Sequence, residues 1–384
     1  MSETHDRGPA GTSLIETRTG EGRAVYRPNR RRLLRDGGLL LAAAGIGMPS
    51  LRPSWAAERS LKVSTYGGYF EESFNKFVYP AFTKATGIAV NSVSQPSGVQ
   101  FLIQLAEANR AGLPPMDLCT AAQSERVRGD RNKMWKAYDT TRIPNLSNLP
   151  DFYVGKGDSG VYGIGAMAWY MTLIINPEEL PAAPDSWRVF WDASHPNAWG
   201  VSSGGNSYLF EITAKTWFGG TEILSTKEGI LQVIAKMAEL KPQVKLWWES
   251  EGTMQTAFEN GEVIGGTYFH DVAGVMAKNG TPVKSIFPKE GGMIDFGSWC
   301  QPSASTKAEE ACEFINFMCS PEAQGLMARN VGCAPIITRD KTDLTDAEFA
   351  AVSSEVPPIV PAIETRLTHL DFMTAEFTRM LTAS

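Results

Sequence analysis

Histidine is scarce in this chain, with 4 in 384 residues. His195, His270 and His369 stand far apart, and no H-x-x-x-H or H-E-x-x-H pair occurs, which excludes the helical zinc-protease motif. One G-x-S-x-G string occurs, Gly200-Val201-Ser202-Ser203-Gly204, but a serine nucleophile also needs a His and an Asp brought together from afar, which the sequence does not show. No G-x-x-x-x-G-K-[ST] loop occurs; Gly163-Ile164-Gly165 lacks a third glycine, and the G-x-G-x-x-G string Gly155-Lys156-Gly157-Asp158-Ser159-Gly160 lies in an irregular stretch without the strand before it and the helix after it that a dinucleotide fingerprint needs. No catalytic constellation and no cofactor motif remains, and the chain is read as a non-enzyme. Cysteine is also sparse: Cys119, Cys300, Cys312, Cys319 and Cys333, without a C-x-x-C. In an oxidising compartment an odd count leaves at least one thiol free. The five read best as buried small hydrophobes, with a pairing that involves Cys312 or Cys319 left open. No apolar run reaches the roughly 20 residues that a membrane-spanning helix needs.

The composition that is present is ordinary and globular, 43% hydrophobic and 20% charged, with enough chain for two core-bearing domains. Residues 1–56 differ from the rest. A polar stretch precedes Asn29-Arg30-Arg31-Arg32-Leu33-Leu34-Arg35, a short apolar run from Gly37 to Met48, and Ser54-Trp55-Ala56. Basic region, apolar run and small-residue cleavage site in that order read as a disordered leader with a signal peptide. The arginine pair resembles the twin-arginine export signal, which implies a periplasmic destination. Cleavage after Ala56 leaves 27 basic and 37 acidic side chains, a net charge near −10. That balance argues against nucleic acid or an anionic bilayer as partner and suits a cationic solute.

Beyond the leader, strand and helix patterns alternate, which predicts an α/β fold. Leu61 to Tyr66 alternates with period two, Phe70 to Phe82 follows at helical spacing with Pro80 as a break, and Ile88 to Val93 and Met116 to Thr120 complete a βαβαβ unit. Residues 121–160 look irregular. Ala166 to Ile175 is an apolar run long enough to cross from one lobe to another, and Gly297 to Pro302 reads as the return strand. Thr226, Ser250 and Ser320 are placed to cap helices, and Ile363 to Met380 reads as a last amphipathic helix.

Aromatic and acidic residues at strand ends are the candidate site. Tyr66-Gly67-Gly68-Tyr69 joins the first strand to the first helix. Its glycines admit a ligand close to the backbone, and its rings suit a cation; a tight turn with two packing aromatics is the competing reading. Trp248 and Glu251 follow a later strand, with Trp248 either cleft-lining or core. Phe269, His270 and Asp271 end another strand, where Asp271 either caps the next helix or faces the cleft. Asp295 and Ser298 flank the return crossing, and Ser124 and Ser207 follow strand ends in the two lobes.

Several segments, in order, resemble the periplasmic solute-binding proteins of the spermidine/putrescine (polyamine) ABC transporter family. They are Thr65-Tyr66-Gly67-Gly68-Tyr69, Phe82-Thr83-Lys84-Ala85-Thr86-Gly87-Ile88, Asp185-Ser186-Trp187, Asn260-Gly261-Glu262-Val263, Gly280-Thr281-Pro282-Val283 through Phe287-Pro288-Lys289-Glu290-Gly291-Gly292, Phe314-Ile315-Asn316-Phe317-Met318 and Ser320-Pro321-Glu322-Ala323-Gln324. The resemblance implies a type II-like, two-lobed binding protein with two mixed sheets, helices on their faces and crossing hinge strands. It implies lobe one at 57–165 plus 297–340, lobe two at 166–296 plus 341–384, and a monomer that delivers solute to ABC permease subunits. It also implies aromatic rings around an amine and carboxylates at its ends, with Tyr66, Tyr69 and Phe269 on aromatic positions. The chain departs from the pattern at the crossing. The family's anchoring carboxylate position is Gly297 here, and the acid, Asp295, comes two residues earlier. Ala122-Gln123-Ser124-Glu125 replaces an aromatic segment, the aromatic near Cys333 is absent, and no acid is evident near Ser207. A shorter or more polar ligand than spermidine, an amine or an amino-acid-like compound, is therefore expected. A ferric or metal-chelate binder on the same fold, using Tyr66, Tyr69, His270 and Asp271, is the alternative, and an exported enzyme is the third.

Overall fold

The computed structural model describes residues 59–95, 99–204 and 207–383, with all of their side chains except those of Tyr69 and Val99. The expected leader and twin-arginine signal lie outside the described residues. The strands are β1 (Ser60–Tyr66), β2 (Ala89–Gln95), β3 (Leu118–Ala122), β4 (Val154–Gly157), β5 (Gly160–Ile175), β6 (Trp199–Ser202), β7 (Val244–Trp248), β8 (Gly265–Phe269), β9 (Lys284–Ile286) and β10 (Met293–Cys300). The helices of the first half are α1 (Tyr69–Ser73), α2 (Tyr79–Thr86), α3 (Val99–Arg110) and α4 (Gln123–Arg131). Those of the second half are α5 (Leu209–Phe218), α6 (Lys227–Ala238), α7 (Glu251–Glu259), α8 (His270–Lys278), α9 (Ala308–Met318), α10 (Pro321–Val331), α11 (Asp346–Ala350) and α12 (Ile363–Thr382).

The opening βαβαβ unit forms as its periodicity requires: β1 pairs in parallel with β2 and with β3. Pro80 lies at the start of α2, where its missing N–H costs nothing. A π turn at Phe74–Val78 separates α2 from α1. Thr226 and Ser320 cap α6 and α10 through their side chains, as expected. Ser250 occupies the cap position of α7 but makes no side-chain cap bond. The stretch expected to be irregular contains α4 and β4. Five arginine or acidic side chains in nine residues hide the apolar period of α4, yet Val127 and Gly129 are buried.

The two sheets expected for the two lobes are joined into one hydrogen-bonded path, β2-β1-β3-β10-β5-β8-β6-β7. Two long strands make the join. β5 runs 16 residues, about 50 Å at strand rise. Its residues Ile164 to Tyr170 belong to one hydrophobic core, and Met171 to Ile175 to the other. β10 crosses back, with Met293 in the second core and Ile294, Phe296 and Trp299 in the first. A third segment does the same, with Ile359 in the second core and Val360 packed on the first. All three crossings fall on one row. Met293 pairs with Met171 on one side and bridges to Ile359 on the other, and Ile294 N–H donates to Ile359 C=O at 3.0 Å.

The first core is built around Trp299, whose ring meets Phe74 edge-on at 6.0 Å and Phe314 at 5.1 Å. The second gathers Trp187, Phe190, Trp199, Phe210 and Phe377. α12 packs its Met373, Phe377 and Met380 into this second core, and a small cluster of Leu344, Phe349 and Val352 packs on Ala328 of α10. All five cysteines are buried and unpaired, in keeping with small hydrophobes. Because Trp299 is fully buried, Trp299→Ala is expected to lower unfolding free energy by about 3–5 kcal/mol, measured by urea denaturation; a loss under about 1 kcal/mol would show that this ring is not a keystone of the first core.

Candidate functional site

The row where the strands cross has two faces. Side chains directly opposed across a ladder, and those two residues apart on one strand, share a face. Asp295 opposes Trp169, Gly297 opposes Met167, and Phe269 opposes Met171. Asp295, Gly297, Trp169, Met171 and Phe269 therefore line one face, and Ile294, Phe296 and Tyr170 line the other.

Asp295 is the chemical centre of the first face. It keeps partial solvent access although protein atoms surround it, as at the floor of a cleft. Its Oδ1 accepts the N–H of Phe296 at 2.8 Å. The side chains of Tyr208 and Trp169 also hydrogen-bond it. Burial pushes its carboxyl above the usual aspartate range, while Tyr208, the Phe296 N–H, Trp169 and the Arg366 charge pull the other way. Tyr66 completes the wall. Its hydroxyl stands over Gly297, where an added Cβ would lie 3.3 Å from that oxygen, and it feels the charges of Glu125 and Asp295. Burial drives the Tyr66 and Tyr208 phenols far above their ordinary value, so both are neutral hydroxyls.

A buried ion pair supports Tyr208. Arg366 Nε donates to Glu211 Oε1 at 2.6 Å, its Nη2 reaches Glu211 Oε2, and Nη2 also donates to Ser207 C=O at 2.5 Å. The guanidinium stacks on the Tyr208 ring, 5.4 Å from its centre. Ser207 Oγ donates to Ser202 C=O at 2.9 Å and accepts from Leu209 N–H at 3.1 Å, starting α5. Ser207 is thus a structural residue that shapes the loop before Tyr208. Glu211, in the first turn of α5, is the acid near Ser207 that the sequence did not reveal.

The remaining candidates fall into other neighbourhoods. Gly67 and Gly68 are exposed at the end of β1, and Gly68 takes φ 64° before α1. The Tyr69 side chain lies outside the description. Ser124 is exposed on the first turn of α4, and Ser298 is buried, accepting from Gln123 Nε2 at 3.4 Å. Trp248 is core, edge-on to Tyr268 at 6.0 Å. Tyr268 Oη donates to Glu251 C=O at 3.1 Å. Burial raises the carboxyls of Glu251 and Asp271, and the Asp271 charge adds to the rise at Glu251. Asp271 sits inside α8 and not at its cap, which is Phe269. His270 turns away from the Asp295 face. Its Nδ1 lies 2.9 Å from Ser285 Oγ, which meets Thr172 Oγ1 at 2.6 Å, and Thr172 alternates with Met171. Burial lowers the His270 pKa, so the ring is neutral near pH 7.

Among the described residues no three His, Cys, Asp or Glu side chains are grouped to hold a metal. Tyr66 stands with Asp295, and His270 with Ser285, so the ligand set of the ferric alternative is divided. Sequence reasoning missed Tyr208, Trp169, Glu211 and Arg366. Trp169 carried a signal in its alternation with Met167 and Met171 along the crossing run. The Glu211–Arg366 pair spans 155 residues and carried none.

Two cavities lie elsewhere. One, of about 650 Å³, is lined by Tyr153, Tyr170, Phe349 and Ser353 among others, and the other, of about 340 Å³, by Arg126, Tyr162 and Phe296. Both use residues of the face opposite Asp295, and neither is the cleft described above.

Over residues 78–350 the chain matches a family model described as bacterial extracellular solute-binding protein. It is 24% identical over 282 residues to the spermidine/putrescine-binding periplasmic protein of Escherichia coli, covering 70% of this chain and 79% of that one. It is 21% identical over 298 residues to the gamma-aminobutyric acid-binding protein of Pseudomonas aeruginosa, covering 76% of this chain and 80% of that one. Among solved structures, the open unliganded AttC binding protein of Agrobacterium tumefaciens superposes with a TM-score of 0.73 at 18% identity, over 84% of this chain and 100% of that chain. Glu211→Ala is expected to leave Arg366 buried without its partner and to cost about 3–5 kcal/mol, read from urea unfolding. A double replacement of both residues by methionine is expected to recover most of that loss; a single-variant loss below about 1 kcal/mol would show that the pair does not hold the Tyr208 loop.

Proposed function

We propose that this chain, which belongs to the bacterial extracellular solute-binding protein family, is the periplasmic receptor of an ABC importer for a small organic amine. Its relatives are solute-binding proteins and not enzymes. The observation that carries the reading is Asp295, a carboxylate on the floor of the cleft between a residue of each core. Trp169 packs on the first core and Tyr208 on the second. An ammonium laid against Asp295 gains a counter-charge, hydroxyls from Tyr66 and Tyr208, and the ring faces of Trp169 and Phe269. Each ring contributes about 0.5–2 kcal/mol to a desolvated cation.

The charge balance favours an amine over an amino acid at this end. Asp295 and Glu211 carry two negative charges and Arg366 one positive. Arg366 is fully engaged with Glu211 and Ser207, so it offers no free fork to a ligand carboxylate. The likeness to the gamma-aminobutyric acid-binding protein of P. aeruginosa favours a second reading, an ω-amino acid whose ammonium takes the same anchor while its carboxylate reaches the exposed Gly67-Gly68 backbone.

The lobes follow the two cores, 59–170 with 294–352 and 171–293 with 359–383. The three crossings at Met171, Met293 and Ile359 form the hinge. Closure is favoured by ligand because Trp169 and Tyr208 contact it together only when the lobes approach. The closed form is a monomer that docks on permease subunits, after export by the twin-arginine route. Calorimetric titration of the full chain against putrescine, spermidine and gamma-aminobutyrate tests the reading. At least one should bind, and Asp295→Asn should weaken it about thirtyfold or more, the low end of removing one partner of a buried charge pair. Undiminished binding by the Asn variant would remove Asp295 from the site.

A further inference from the structure

Behind the crossing strands, the 340 Å³ cavity straddles the two lobes. Gln123, Arg126 and Val127 of α4 line one side, and Pro361, Ile363 and Glu364 at the start of α12 line another. Arg126 is its chemical feature. Its Nε and Nη2 donate to Gln123 Oε1 at 3.2 and 3.0 Å, and its Nη1 donates to Tyr162 Oη at 3.2 Å. Among the described residues it forms no ion pair with a carboxylate. Its acceptors are neutral, and N–H groups on the planar fork remain unused.

The guanidinium also lies in a slot shaped for it. Gly155 and Gly163 are direct partners across the β4–β5 ladder. A Cβ on Gly155 would stand 2.1 Å from Arg126 Nη1, and one on Gly163 would stand 2.8 Å from Arg126 Cδ. Either side chain would evict the arginine. Lys156, also on the cavity wall, is held only by an exposed pair with Asp151 at 3.6 Å, too weak to fix it. Glu364 makes an exposed pair with Arg131. Asp130, whose carboxyl feels the charges of Arg126 and Glu364, lies toward Gly157, where a Cβ would meet its oxygens at 2.8 Å. The rest of the wall is apolar: Phe152, Val154, Phe296, Val360 and Pro361.

We infer that this cavity binds a small organic carboxylate with a short apolar tail, held by Arg126 and Lys156 at its head and by Phe152, Phe296 and Pro361 along its tail. A planar guanidinium with free donors matches a carboxylate bidentately. The volume lies at the lower end of small-molecule sites and admits such an acid, but not a folded partner. Since α4 belongs to the first lobe and α12 to the second, an occupant touches both lobes beside the hinge, on the opposite face from the amine site. The inference does not depend on the identity of the imported solute.

Calorimetric titration of the full chain with sodium benzoate, sodium butyrate and inorganic phosphate tests it. At least one of the two organic acids should bind with a 1:1 stoichiometry, and Arg126→Gln should weaken it at least tenfold. Gly155→Ala, which fills the slot without removing the charge, should do the same. Both variants should keep the urea midpoint and any amine affinity of the unaltered chain. Should Arg126→Gln fail to fold, Gly155→Ala carries the comparison. Absence of binding by both acids at about 10 mM, a response to phosphate alone, or benzoate binding untouched by either variant would overturn the assignment. Loss of amine binding with retained acid binding would count against the proposed function and leave this site standing.

Discussion

A carboxylate placed in a strand that two cores share is the constraint around which this molecule is arranged. Burying Asp295 is unfavourable unless hydrogen bonds and charges surround it. The chain meets that requirement from both lobes at once: Trp169 from the crossing strand of the first core, Tyr208 from the start of α5 in the second, and the Phe296 N–H from β10 itself. Arg366 then fixes Tyr208 by stacking on it while satisfying Glu211. Even so, burial outweighs these partners and holds the carboxyl above its ordinary range. In the proposed function, a cation arriving from solvent supplies the charge that the folded protein leaves wanting.

The same strands that present Asp295 also permit motion. Among the described residues three backbone segments pass between the cores, and they do so on a single row of Met171, Met293 and Ile359. Apolar packing is divided between the lobes on either side of that row. Rotation there leaves both interiors intact and changes mainly what faces the cleft, so binding can be coupled to closure at little internal cost.

Much of this was legible in the sequence, because period-two and helical patterns are local. The βαβαβ opening, the crossing character of Ala166 to Ile175, the caps at Thr226 and Ser320 and the final amphipathic helix all rest on nearest-neighbour chemistry. The ordered motifs pointed to the family. α4 escaped notice because its charges mask a narrow buried face. His270 stood beside Phe269 in sequence, yet strand alternation and helix entry turned it to the opposite face with Ser285. The ring and ion-pair partners of Asp295 were invisible for a different reason. Tyr208, Glu211 and Arg366 reach it through contacts between segments far apart in the chain, and no local pattern encodes such a meeting.

The central claim concerns the protonation state of one group, and calorimetry in mildly acidic buffers of differing ionisation enthalpy reads it directly. A raised carboxyl is partly protonated in the free protein, and an ammonium favours its ionised form. Binding should therefore release a proton on the acid side. Affinity should be complete above the free-protein value and decline as the pH falls through it. An amine that binds with no proton exchange and with unchanged affinity across that range would contradict an anchor at Asp295.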